Sequence, residues 1–159
     1  MHILMCNDDG ILADGLRQLA TYLSQYYRVT VVAPATEQSA KSHALTTEIP
    51  LKLDAYNGED ENPRLYALTG TPSDCMKFGL SYLLADDMPD LVISGINHGF
   101  NLGSDVLYSG TVSAAMESAF YGIPGLALSV ERYSVERGHE MHPFIHELIE
   151  KIYVNGNFE

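Results

Sequence analysis

The chain has no tryptophan, only two cysteines, and nine Lys and Arg against 21 Asp and Glu in 159 residues, for a formal net charge of −12. Each shortage removes a class of protein. Cys6 and Cys75 form no Cys-x-x-Cys pair and no Cys/His zinc spacing, which argues against a disulfide framework and against a zinc module. The shortage of Lys and Arg argues against duplex nucleic acid as a partner, because that binding rests on cations placed at phosphates. A phosphorylated ligand would need its positive potential from a divalent cation or a helix N-terminus. No apolar run approaches the ~20 residues that cross a bilayer, so no membrane partner is expected. Met1-His2-Ile3 runs straight into a strand, with no basic segment and no signal-peptide core. That beginning predicts a cytoplasmic protein.

What is present is an ordinary globular composition, 46% hydrophobic, over a length that suits one domain spanning 1–159. Short apolar runs alternate with amphipathic stretches. His2 to Cys6, Val29 to Ala33, Leu65 to Leu68, Leu91 to Ser94 and Gly125 to Val130 read as strands. Asp14 to Tyr27 reads as a helix, with Leu16, Leu19, Ala20 and Leu23 on one face. Thr71-Pro72-Ser73-Asp74 is a helix start with a capping-box pattern, and the helix should run to about Ala85. Gly110 to Tyr121 and Pro143 to Tyr153 read as further helices. Leu45 to Tyr56 partly alternates and predicts an extended or hairpin segment, and Gly95 to Ser109 reads as a long loop. Continuous apolar strands separated by helices predict an α/β fold. Its sheet is doubly wound, mostly parallel and Rossmann-like, with helices on both faces and a short hairpin excursion.

The most informative motif is Asn7-Asp8-Asp9-Gly10, directly after the first strand. Ligands of open parallel sheets bind at the carboxyl ends of strands. Two adjacent carboxylates on a tight turn repel, and a cation or a shared proton relieves them. The same four residues also make good solvated turn chemistry, so both readings stand for the motif alone. Two further loops fall at the same end of the predicted sheet. One carries Ser39, Ser42 and His43; the other carries Asn97, His98, Asn101, Ser104, Asp105 and Ser109. If these loops converge, the donors are hard oxygens, which suit Mg²⁺, Mn²⁺ or Ca²⁺ rather than zinc. Ser109-Gly110-Thr111 opens a helix, where free amides attract anions or where Ser and Thr simply cap. His142 and His146, four apart on a helix with no third ligand nearby, read as a surface pair.

These blocks appear in order with Val32-Ala33-Pro34, Ser42-His43-Ala44-Leu45-Thr46, Gly70-Thr71-Pro72-Ser73-Asp74-Cys75, Ser94-Gly95-Ile96-Asn97-His98-Gly99 and Tyr108-Ser109-Gly110-Thr111. Together they make the chain resemble the SurE survival-protein family, metal-dependent nucleoside-monophosphate phosphatases also called stationary-phase survival 5′-nucleotidases. The resemblance covers nearly the whole chain. It implies Asp8, Asp9, Ser39 and Asn97 as metal ligands, with Asp8 and Asp9 catalytic and one divalent cation per subunit, Mg²⁺ or Mn²⁺. It implies Asn101, Ser109, Gly110 and Thr111 at the phosphate. It also implies hydrolysis of nucleoside 5′- and 3′-monophosphates and a homodimer or homotetramer.

Two departures from the family are visible. Ala40 follows Ser39 where a Gly is usual, and Asp14 stands where Pro is frequent. The residues from Val154 to Glu159 fall where another strand is expected. The chain should therefore lack the family's C-terminal strands and oligomerisation arm, which leaves a catalytically weak nucleotide- or metal-binding module as the alternative. Two other readings carry less. A covalent aspartyl-phosphate phosphatase of the haloacid-dehalogenase type spaces its aspartates by one residue, whereas Asp8 and Asp9 are adjacent. A receiver domain needs an Asp after the third parallel strand and a Lys after the fifth; here Gly95-Ile96-Asn97 and Glu131-Arg132 stand there.

Overall fold

Burial in the central strands alternates between two faces, and this alternation sets the architecture. The computed structural model describes residues 1–154. Among them, six strands form one sheet: β1 (His2–Cys6), β2 (Arg28–Pro34), β3 (Leu53–Ala55), β4 (Arg64–Leu68), β5 (Leu91–His98) and β6 (Gly125–Val130). The order across the sheet is β3-β4-β2-β1-β5-β6, parallel throughout except for β3. Ile3 and Met5 of β1 join Val29, Val31 and Ala33 in one core, while Leu4 and Cys6 join Val32 in the other. Successive side chains of a strand point to opposite faces, so a run such as Ile3-Leu4-Met5-Cys6 feeds both cores.

Four helices cover the sheet: α1 (Asp14–Leu23), α2 (Pro72–Phe78), α3 (Gly110–Ala119) and α4 (Val135–Val154). Leu16, Leu19 and Leu23 of α1 and Ile145 and Ile149 of α4 close the first core. Cys75 and Met76 of α2, with Ala114 of α3, close the second. Helices on both faces of a mostly parallel sheet match the expected doubly wound α/β fold. None of the described helices is long and apolar enough to cross a membrane.

Several boundaries differ from the sequence reading. The alternating stretch 45–56 contributes only the short β3, antiparallel to β4. Strand β5 does not stop at Ser94. It continues to His98 because β6 runs on beside it, pairing Asn97 with Ser129 and His98 with Val130 past an irregularity. Gly95 sits in that irregularity at φ +127°, where an added Cβ would collide with the Leu128 carbonyl. Helix α2 begins at the expected capping box, closed by Thr71 and Asp74, but ends at Phe78 and gives way to a π-helical turn over Gly79–Leu83. Pro143 does not start the last helix; α4 begins eight residues earlier, at Val135, and runs through it. His142 is buried, and His146 stacks on Tyr26 with ring centroids 4.1 Å apart, so this pair packs α4 against α1. The strand expected after Val154 would fall on 155–159, outside the described residues.

His2 opens β1 almost fully buried, and its ring bridges two strands. Nδ1 accepts from the Arg28 guanidinium at 2.8 Å, and Nε2 lies 3.0 Å from Thr30 Oγ1. Arginine offers only donors, so Nδ1 must keep its lone pair and the ring is neutral. Burial, and then Arg28, hold its pKa below the usual value. The unfolded chain therefore binds a proton that the folded chain refuses. The stability this contributes is complete above about pH 6.5 and is lost as the pH falls below it. Urea unfolding measured from pH 7.5 to 5 should show stability falling over that window, with a shallower fall in His2→Gln. An unchanged slope in the variant would reject this role for His2.

Candidate active site

The sheet order places a crevice beside β1. From β1 the chain moves to β2 on one side and later returns to β5 on the other, so the boundary between β1 and β5 is the switch point. Ligands of open α/β sheets bind there, outside the carboxyl ends of the strands. A cleft of about 560 Å³ opens at that place, with Asp8, Asp9, Ser39, Asn97, Asn101 and Ser109 among its lining residues. All three predicted strand-end segments thus meet in one cavity; the loop after β2 supplies Ser39, and β5 itself, rather than a loop, carries Asn97.

The turn after β1 is built by Asn7. Its side-chain amide donates to the Gly10 carbonyl at 3.2 Å, and its side-chain oxygen accepts from the Gly10 amide at 3.1 Å. Gly10 takes φ +100°, which suits glycine alone. This clamp holds Asp8 and Asp9 at the strand end. Asp8 is 6% exposed and accepts a 2.6 Å hydrogen bond from the Thr111 hydroxyl at the start of α3. Burial pushes its carboxyl above the usual value, and the Thr111 hydroxyl pulls it back. Asp9 is more open. Burial and then the neighbouring Asp8 raise its pKa, and the His98 amide stands at a long 3.4 Å from Oδ2.

The first turn of α3 approaches Asp8 closely because Gly110 lacks a side chain. An added Cβ would come 2.9 Å from Asp8 Cβ and 3.1 Å from Pro72 Cγ. Ser109 caps the helix, its hydroxyl oxygen accepting from the Val112 amide at 3.2 Å, while the residue also lines the cleft. Its O–H remains available to a ligand. Gly110 and Thr111 lie buried behind the wall, and the Thr111 hydroxyl is directed at Asp8. The Asn101 amide donates to Ser129 Oγ at 2.7 Å, and that of Asn97 donates to the Gly99 carbonyl at 2.7 Å. The latter bond orients the amide of Asn97 and leaves its side-chain oxygen as the free donor atom toward a cation.

Ser39 lies on an exposed loop and donates to Glu37 Oε1 at 2.6 Å. Glu37 was not singled out by the sequence reading; its only signal was a position two residues before Ser39. The following Ala40 sits at φ +56°, in the left-handed region where glycine is at ease. The backbone there keeps the conformation a glycine would favour, at a cost of roughly 1–2 kcal/mol for a residue with a Cβ.

Four carboxylates line this cleft, those of Asp8, Asp9, Glu37 and Asp105, and no Lys or Arg lines it. Among the described residues no cluster of three His, Cys, Asp or Glu side chains forms a metal site. The donors here are two carboxylates, a hydroxyl and an amide oxygen instead, which is the oxygen chemistry of a hard divalent cation. The uncompensated negative charge and the raised carboxyl pKa values fit such an ion. Gly110→Ala should displace Asp8 and weaken Mn²⁺ binding by 10-fold or more, as changes behind a metal ligand do, while the overpacking costs about 1–3 kcal/mol. Calorimetric titration and thermal unfolding of the variant check both effects; wild-type values for both would show that the contact has no consequence.

Comparison with known proteins finds relatives over nearly the whole chain. The family model described as "Survival protein SurE" matches residues 3–158. A 5′-nucleotidase SurE of Thermoanaerobacter sp. (strain X514) is 50% identical over 156 residues, covering 98% of this chain and 61% of that protein. The 5′-nucleotidase SurE of Thermosipho africanus is 54% identical over 139 residues, 86% of this chain and 52% of that protein. The crystal structure of the SurE protein from Aquifex aeolicus superposes with a TM-score of 0.83 at 39% identity, over 96% of this chain and 60% of that one. The chain therefore spans 52–61% of the length of these relatives. With a family model matched almost end to end, an α/β sheet shared with a solved member and half its residues identical to named relatives, the chain belongs to the SurE family.

Proposed function

We propose that the chain is a metal-dependent phosphatase that hydrolyses nucleoside 5′- and 3′-monophosphates to nucleoside and phosphate. The observation that carries the reading is the cleft itself. Four carboxylates without a Lys or Arg would repel an anionic substrate unless a cation stood between them. Relatives named 5′-nucleotidase, half identical to this chain, support the substrate class.

In this reading Asp8, Asp9, Ser39 and Asn97 hold one divalent cation, Mg²⁺ or Mn²⁺. Such an ion supplies Lewis acidity to a phosphoryl oxygen and makes water acidic enough to attack near neutral pH. Asp8 is fixed by Thr111 and serves to hold. Among the described residues Asp9 has only the distant His98 amide as a hydrogen-bond partner, which leaves its carboxylate to accept the proton of the attacking water. The substrate phosphate lies against Asn101 and the Ser109-Gly110-Thr111 segment. There the Ser109 hydroxyl and the positive end of α3 stabilise charge on the equatorial oxygens. Thr111 contributes mainly through Asp8, since that carboxylate takes its hydroxyl. The reading extends to a cytoplasmic homodimer or homotetramer. The large exposed apolar side chains Leu107, Tyr108, Met116 and Phe120 support self-association.

Phosphate release from a panel of nucleoside monophosphates, with Mn²⁺, Mg²⁺ or EDTA, tests this on wild type beside Asp9→Ala. Release that requires metal and drops to background in a folded Asp9→Ala protein is the expected result. A folded wild-type chain that releases no phosphate with any metal would reject the enzyme and leave a module that binds without turnover.

A further inference from the structure

The loop that brings Ser39 to the cleft has no regular secondary structure between β2 and β3, and it must be held from outside. It takes left-handed backbone at both Ala40 and Ser42, which persists only where the surroundings impose it. Most of its ties use its own backbone. The Gln38 amide donates to the Asp8 carbonyl at 2.8 Å, the Ser42 amide donates to the Tyr108 carbonyl at 3.2 Å, and the Thr46 amide donates to Asp74 Oδ1 at 3.0 Å. Thr71 Oγ1 donates to the Ala44 carbonyl at 2.6 Å.

Two ties use side chains of the loop: the Ser42 hydroxyl donates to the Leu107 carbonyl at 2.9 Å, and His43 reaches a buried carboxylate. His43 Nε2 lies 2.7 Å from Glu117 Oε2, and Glu117 is 4% exposed, inside α3. Lys77 Nζ stands at 4.0 Å from the other carboxylate oxygen. A carboxylate that deep in the protein needs a close partner, and removal of one partner leaves an uncompensated group. The same helix carries Thr111, which holds Asp8. Thr111 and Glu117 are six residues apart, about 9 Å along a helix axis. One rigid element therefore grips the Asp8 turn at its first turn and the Ser39 loop further along.

We propose that Glu117 is a positioning residue for the metal site, acting through His43 to set the Ser39 loop against Asp8 and Asp9. The proposal rests on the reading of Asp8, Asp9, Ser39 and Asn97 as metal ligands. Glu117 is not among the residues that line the cleft.

The test is a Mn²⁺ titration followed by the electron paramagnetic resonance of the free ion. The proteins are wild type, Glu117→Gln, His43→Ala, the double variant, and Asp9→Ala as control, each checked for folding by circular dichroism. Each single variant should raise the Mn²⁺ dissociation constant about 10-fold. The double variant should be no weaker than either single, because both remove the same tie. Wild-type affinity in the folded single variants, or multiplied effects in the double, overturns the proposal while binding lost in Asp9→Ala keeps the metal reading. Wild type that binds no Mn²⁺ overturns the metal reading and this proposal together. Should Glu117→Gln fail to fold, His43→Ala, on the surface loop, decides alone.

Discussion

The site depends on one close approach, the first turn of α3 against the turn after β1. Gly110 lets the helix come within contact of Asp8, and Thr111 then gives its hydroxyl to that carboxylate. A side chain at 110 would separate the two and remove the bond. The clamp of Asn7 on Gly10 fixes the other end of the same turn. Two backbone segments that are a hundred residues apart are thereby locked together at the switch point of the sheet. The remaining site residues are arranged around that junction: Asn97 on β5 beside it, Ser39 on the loop that leans across it.

The electrostatics of the cleft follow from this junction. Burial raises the carboxyl pKa of Asp8, and burial together with Asp8 raises that of Asp9. Glu37 and Asp105 add further negative charge, and no Lys or Arg lines the cavity to balance it. In a chain with 21 acidic and nine basic residues, this is a local concentration of a global imbalance. The N-terminal end of α3 adds fixed positive potential, and its cap Ser109 lines the same cavity. A cavity of this character stabilises a hard cation and, with that cation in place, a phosphate.

Several elements were legible because their signals are local. The buried strands announce themselves as apolar runs, the start of α2 as Thr-Pro-Ser-Asp, and the acidic turn as Asn-Asp-Asp-Gly. Others were hidden because the deciding partner lies far away in the chain. Gly95 to His98 reads as the start of a long loop, yet it is strand because β6 continues alongside. Pro143 looks like a helix start, yet α4 begins at Val135, and Met141 and the buried His142 ahead of the proline pack against the first core and Tyr22. His142 and His146 read as a surface pair, whereas Tyr22 and Tyr26 of the α1 region receive them.

By itself the sequence determined the doubly wound α/β class, the polarity of the strands and the residue types gathered at their ends, because periodicity and turn chemistry act over a few residues. It also carried six ordered blocks that place the chain in its family. Only the tertiary structure decided which of those residues share a cavity and which stand behind its wall. Thr111 serves Asp8, Glu37 takes the Ser39 hydroxyl, and Glu117 meets His43 across 74 positions of sequence. Such pairings are set by helix placement and close packing, which depend on the whole sheet at once and leave no trace in local spacing.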